Sequence, residues 1–175
     1  MTLNQSRRSK LALITGAAAA LLSAAAMIGG TGLAAASTRP AISGIERFQV
    51  MSTAATAAKS SLIASGVFTA GGVSTGGNGA TGTATVRLPG GTFKITHRTV
   101  RSRGTFNPRT CLFTVHGSGT YQLGGGTGKY AKISGAGKFV LTIVAVDARS
   151  KGACTQTLPP TAFQRVITLA GPVKA

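Results

Sequence analysis

Three copies of one short pattern occupy residues 117–139: Gly117-Ser-Gly119-Thr-Tyr121, Gly126-Thr-Gly128-Lys-Tyr130 and Gly135-Ala-Gly137-Lys-Phe139. Each reads Gly-x-Gly, then Thr or Lys, then an aromatic, and successive copies start nine residues apart. That interval is about the length of a strand plus its turn, so the stretch predicts the turning centre of an antiparallel sheet. An aromatic beside a glycine fills the space that the missing side chain leaves. Tyr121, Tyr130 and Phe139 are therefore expected to pack over glycines rather than to bind anything. Immediately downstream, Phe139–Val146 (FVLTIVAV) is apolar on both faces, as in a strand covered on both sides.

Working outward, the cleanest alternation runs from Ala80 to Leu88. Ala80, Gly82, Ala84, Val86 and Leu88 face one way, and Thr81, Thr83, Thr85 and Arg87 the other, giving a strand with one dry and one wet side. Pro89-Gly90-Gly91 turns the chain, and Gly91–Val100 returns with Phe93, Ile95 and His97 on one face and Lys94, Thr96 and Arg98 on the other. Residues 101–110 (RSRGTFNPRT) read as a loop, since Pro108 is unsuited to a central strand. Cys111–Leu123 is the next strand, with Phe113, Val115 and Tyr121 on one side and His116 opposite. Further strands are expected over Ile45–Ser52, Leu62–Ala70 and Phe163–Leu169; residues 53–61 read as a loop or weak strand, and residues 71–79 and 147–160 as connections. Short strands, Gly-rich turns and no amphipathic helix point to an all-β barrel or sandwich. Of 25 glycines, 21 follow Ala36; without periodic proline this is turn and close-packing usage, not collagen.

The first residues read differently. Arg7, Arg8 and Lys10 precede an uncharged Ala/Leu-rich run over Leu11–Ile28, and Ala34-Ala35-Ala36 supplies a small-residue cleavage site. Residues 1–36 thus predict a helical secretory signal cleaved near Ala36, the competing reading being a membrane anchor. Residues 37–61 are then leader and first strand, and residues 62–173 the barrel core. Export places the protein outside the cell or on its envelope.

Beyond Ala36, 16 of the 19 Lys and Arg remain against only Glu46 and Asp147, a net charge of +14. Such a field attracts polyanions: anionic cell-wall polymer, acidic lipid headgroups or nucleic acid. Arg98, Arg101, Arg103 and Arg109 are the candidate anion patch, because guanidinium groups fork onto phosphate or carboxylate; a merely solvated basic loop is the alternative. Sequence-specific nucleic-acid reading is not expected, since the patch has only Phe106 as a stacking platform and Trp is absent. Cys111 and Cys154, the only cysteines, predict one disulfide in an oxidising compartment. Their separation lacks the close pairing of zinc ligands, and no metal or other cofactor is expected.

Several chemistries fail position by position. Gly128-Lys129 has Leu123 where a phosphate-binding loop needs glycine and Tyr130 where it needs Ser or Thr. Gly77-Asn-Gly79-Ala-Thr-Gly82 has dinucleotide-type spacing, but a Thr/Val strand follows where a helix must start. Nothing places Glu46 and Asp147 together as an acid/base pair, and no Gly-x-Ser-x-Gly elbow accompanies His97 or His116. No residue is assigned as catalytic. His97, sharing a face with Phe93 and Ile95, is the candidate polar group of a cavity, or else a histidine satisfied by hydrogen bonds near a barrel end.

The run GGGTGKYAKISGAGKF, Gly124–Phe139, resembles the allene oxide cyclase and dirigent superfamily, which has a similar Gly-Gly-Thr-Gly-Lys-aromatic run followed by a glycine-containing strand. It is also similar to a group of small secreted bacterial proteins in which a Pro-Gly-Gly-Thr-Phe turn like Pro89–Phe93, a Gly-Thr-Tyr like Gly119–Tyr121 and two cysteines recur in this order. The likeness covers roughly Leu62–Gly171. It implies a calycin-like, eight-stranded antiparallel barrel with a central apolar cavity; plant members guide cyclisation or coupling of small hydrophobic substrates, often as oligomers. No residue here matches their catalytic carboxylates by motif. The resulting expectation is a secreted basic barrel that holds a small hydrophobic ligand and associates with anionic envelope surfaces. A cyclase- or isomerase-like enzyme acting on a small hydrophobic substrate, and a structural or interaction protein of the envelope, are the alternatives. A barrel of this size can be filled by side chains or hollow, and the oligomeric state is open.

Overall fold

The structure is a computed structural model and describes residues 42–175. The expected signal segment, residues 1–36, lies outside the described residues. Eight strands form the barrel: β1 (Ser43–Ser52), β2 (Lys59–Ser65), β3 (Ala70–Gly76), β4 (Thr81–Leu88), β5 (Gly91–Asn107), β6 (Leu112–Gly124), β7 (Ser134–Val146) and β10 (Ala162–Lys174). A small hairpin, β8 (Ala148–Ser150) with β9 (Ala153–Thr155), fills the β7–β10 connection, and one 3-10 turn covers Gly128–Tyr130. Every barrel pairing is antiparallel, in the order β1-β10-β7-β6-β5-β4-β3-β2, with β1 bonded to both β10 and β2. Closure leaves the barrel without a free edge.

Alternation decides which side chains enter. Glu46, Phe48 and Val50 of β1 are buried, as are Ser60, Leu62 and Ala64 of β2, Val86 and Leu88 of β4, and Phe93 and Ile95 of β5. One half of the barrel is filled. Phe48 lies 5.7 Å from Phe93 and 6.2 Å from Phe68, and Tyr130 lies 5.1 Å from Phe68 and 5.6 Å from Phe93 between ring centroids, all tilted. Such spacings are favourable for ring pairs. The four rings, with Leu88 and Ile133, stopper the end formed by the β2–β3, β4–β5 and β6–β7 turns.

The Gly-x-Gly copies divide between strand and turn. The first lies within β6 and the third within β7; only the middle copy, running into the 3-10 turn, makes the connection. The stretch is a hairpin with one turn, not a series of turns. Its aromatics do cover glycines: a Cβ on Gly137 would stand 2.8 Å from Tyr121 Cε1, and one on Gly119 would stand 2.6 Å from Phe139 Cε1.

Several strand limits differ from the sequence reading, each for a physical reason. Residues 71–76 are not a flexible connection but most of β3; a Cβ on Gly72 would meet Leu88 Cδ2 at 2.6 Å, so glycine there permits close packing against β4. The strand expected over residues 62–70 is instead β2, ending at Ser65 before a turn containing Gly66 at φ 142°. Residues 101–107 continue β5 rather than forming a loop, and Pro108 falls just past its end. Phe139–Val146 is not the most enclosed strand: Val140 is 58% exposed on the outer surface. β10 runs on through Gly171 and Pro172, because the β10–β7 register skips both and asks no hydrogen bond of the proline nitrogen.

Candidate functional site: the barrel cavity

Above the ring stopper the barrel is hollow. A cavity of about 450 Å³ runs up to the rim made by the β1–β2, β3–β4, β5–β6 and β7–β10 connections. Its apolar wall comes from Val50, Ile95, Phe139, Leu141, Ile167 and Leu169, each the inward residue of its strand. The volume is in the range of small-molecule sites, roughly 300–1,000 Å³. Small residues make the room: Ala84 on β4 and Gly76, Gly77, Gly79 and Ala80 at the β3–β4 turn contribute almost no side-chain volume.

Polar groups gather towards the rim. Of the four buried polar or charged side chains among the described residues, Ser52, Ser60 and Ser74 belong to this end; Glu46 belongs to the other. Ser60 and Ser74 are register partners on β2 and β3, and both line the cavity. Arg165 also lines it, entering from β10, where it pairs with Ser52 on one side and Ile143 on the other. Its Nη2 donates to Ser60 Oγ at 3.1 Å, while its Nε is buried without a partner among the described residues. None of the lining residues is acidic.

His97 and Ile95 line the cavity, whereas Phe93 lies in the ring stopper beneath it. The His97 ring stands edge-on to Phe139, centroids 5.8 Å apart. Its Nε2 is 3.3 Å from the Gly79 carbonyl oxygen, and since that oxygen only accepts, Nε2 carries the proton and Nδ1 is left as the acceptor.

The arginines sort by strand geometry. Arg98, Arg101 and Arg103 are all exposed on β5. Simple alternation from Arg98 would turn Arg101 and Arg103 inward. The β5–β6 register instead shifts between Thr99 and Arg101, a bulge that makes Val100 the extra residue. Thr99 still faces Gly119 and Ser102 faces Gly117, both on the inner side, so Arg101 and Arg103 join Arg98 outside. Lys94 extends the cationic row towards the stoppered end, and Thr83 and Thr85 on β4 with Ser118 and Thr120 on β6 flank it. Arg109 is not in this row; it sits in the β5–β6 turn, where its backbone N–H donates to Asn107 Oδ1 at 2.9 Å. His116 is exposed and pairs with Arg103.

Cys111 and Cys154 form a disulfide, their Cα atoms 5.4 Å apart, which ties the β8–β9 hairpin to the β5–β6 turn beside the rim. The Arg149 guanidinium adds hydrogen bonds to the carbonyls of Arg109 and Gly152. Among the described residues no three His, Cys, Asp or Glu side chains are grouped to hold a metal ion.

Two inward charges escaped the sequence reading, although the signal was present. Arg165 shares the apolar phase Phe163, Ile167, Leu169, and Glu46 shares that of Phe48 and Val50. A charge in phase with apolar residues marks either a site or a structural anchor. Glu46 is the second kind here: fully buried at the stoppered end, its Oε2 accepts from the Phe68 N–H at 3.0 Å, while its Oε1 has no partner. Burial pushes its carboxyl above the ordinary range, against the backbone donors that pull the other way. Burial, and then the charge of Glu46, push the Tyr121 hydroxyl up as well.

Fold and cavity define a closed eight-stranded antiparallel barrel, stoppered at one end and hollow at the other. No protein-family model matches the chain, and neither does any curated protein or solved structure.

Proposed function

We propose that this protein is an exported, basic binding barrel that holds a small hydrophobic ligand in its hollow half and rests on anionic envelope surfaces through the outer face of β5. The cavity itself carries the first part. Natural barrels of this size are commonly filled by side chains, and here alanine and glycine stand where bulk would fill the space. The resemblance at Gly124–Phe139 supports the same reading. The row Lys94, Arg98, Arg101 and Arg103 carries the second part, since the bulge presents these cations together on a hydroxyl-flanked face. That face is unlike the apolar band that a lipid-facing barrel needs.

Native mass spectrometry of the protein purified from its own culture medium tests the ligand half. A bound apolar mass is expected, and a consistently bare barrel contradicts it. For the surface half, sedimentation with anionic phosphatidylglycerol vesicles should weaken steeply with salt. It should weaken further in the Arg98→Gln, Arg101→Gln, Arg103→Gln triple variant; binding that survives high salt contradicts the electrostatic account.

A second reading rests on His97, the one imidazole in the cavity wall, whose Nε2 is turned to the Gly79 carbonyl and whose Nδ1 is left as the acceptor. An isomerase-like activity on a small hydrophobic substrate would use it as proton acceptor. His97→Ala should then abolish turnover, and unchanged turnover removes His97 from consideration.

A further inference from the structure

The cavity is not uniformly apolar, and its one cation is incompletely used. Arg165 projects inward among Ser52, Ser60 and Ser74, with Nη2 engaged by Ser60 and Nε buried but unpartnered. A buried guanidinium nitrogen without an acceptor is costly, because water has been removed and nothing has replaced it. Both acids of the described chain lie elsewhere, Glu46 at the stoppered end and Asp147 at the strand-to-hairpin junction, and neither lines the cavity. Below this polar ring the wall becomes Ile95, Phe139, Leu141, Ile167 and Leu169.

We infer that the ligand is a carboxylate-headed amphiphile, of the fatty-acid class, whose head is held by Arg165 and whose tail fills the apolar half of the cavity. This deepens the binding-barrel reading and rests on it. Arg165 lines the cavity, and its guanidinium is a planar fork that a planar carboxylate accepts through two parallel hydrogen bonds. The hydroxyls of Ser60 and Ser74, which line the cavity and rotate to donate, stand beside the head. No lining residue repels the anion, and the chain's excess of cations favours its entry. A neutral amphiphile of the same length gains the apolar contact but leaves the guanidinium without an anionic partner.

The test is displacement of Nile red from the purified protein by decanoate and by decanol at one fixed salt concentration. It is run on wild type, Arg165→Met, Arg165→Lys and the outer-face triple variant Arg98→Gln, Arg101→Gln, Arg103→Gln. Decanoate should displace the dye at about tenfold lower concentration than decanol in wild type, the difference expected of one charge-assisted contact. Arg165→Met should bring the two to parity. Arg165→Lys, which keeps the charge and loses the fork, should retain part of the preference. The outer-face variant should retain all of it, which separates a contact in the cavity from attraction to the basic surface. Parity in wild type, or a preference that survives Arg165→Met, overturns the carboxylate assignment and leaves the binding barrel standing. Should Arg165→Met not fold, undiminished preference in Arg165→Lys together with loss in the outer-face variant overturns it equally. If neither compound displaces the dye and no dye binds, the binding-barrel reading itself is wrong.

Discussion

At Glu46 a single carboxyl makes stability depend on pH. Burial raises its pKa from the ordinary 4.5, so between that value and the raised one the folded protein binds more protons than the unfolded chain. Stability therefore falls as pH rises through this window, the reverse of the usual salt-bridged carboxylate. Glu46→Gln keeps an acceptor for the Phe68 N–H and cannot ionise. Urea unfolding across the acid-to-neutral range should show wild type losing stability relative to Glu46→Gln as pH rises; parallel pH profiles contradict the assignment. The glycines under the aromatics give a second residue-level expectation. Gly137→Ala would press a methyl against the Ala170 carbonyl oxygen and Tyr121 Cε1, costing about 1–3 kcal/mol by overpacking. Gly71→Ala, with nothing within 4 Å of its added Cβ, serves as the control and should cost much less in the same unfolding measurement.

Among the elements, β5 and its bulge decide what faces outward. Deleting Val100 removes the extra residue and leaves Arg98, Thr99, Arg101, Ser102 and Arg103 in simple alternation, so both arginines stay outside. The deletion variant should therefore accumulate as soluble, folded protein, as should Val100→Ala at this 66% exposed position, and failure of the deletion alone contradicts the bulge assignment. The bulge explains why the sequence showed three nearby arginines without showing their common face: alternation is legible residue by residue, but an inserted residue resets it silently. Likewise, Gly72 and Gly76 hid β3, since glycine signals a turn far more often than a strand packed too closely for side chains. By contrast, the Thr81–Leu88 alternation, the Pro89-Gly90-Gly91 turn and the cysteine pair were legible because each has a local signature. Removing the disulfide as Cys111→Ser with Cys154→Ser should lower stability by about 2–4 kcal/mol. The barrel ladder should persist in far-ultraviolet circular dichroism, because the bridge joins a turn to an outside hairpin and not strand to strand.

For the whole molecule, closure and asymmetry matter together. Eight antiparallel strands remove the sheet edges, and four aromatic rings spend the core at one end, leaving the other half hollow. The sequence indicated a barrel or sandwich and left open whether a barrel would be filled, since that depends on which small residues meet across the interior, a matter of register. Register brings Ala84 opposite Ile95 and places Ser60 beside Ser74. It also turns Arg165 into the same space. The central claim, that this space takes up small hydrophobic molecules, is tested most directly by methyl NMR of the labelled protein during titration with decanoate. The account predicts saturable shifts at Ile95, Leu141, Ile143, Ile167 and Leu169, with the outward methyls of Ile63 and Val140 unmoved. Shifts confined to the outward methyls, or none at all, would contradict it.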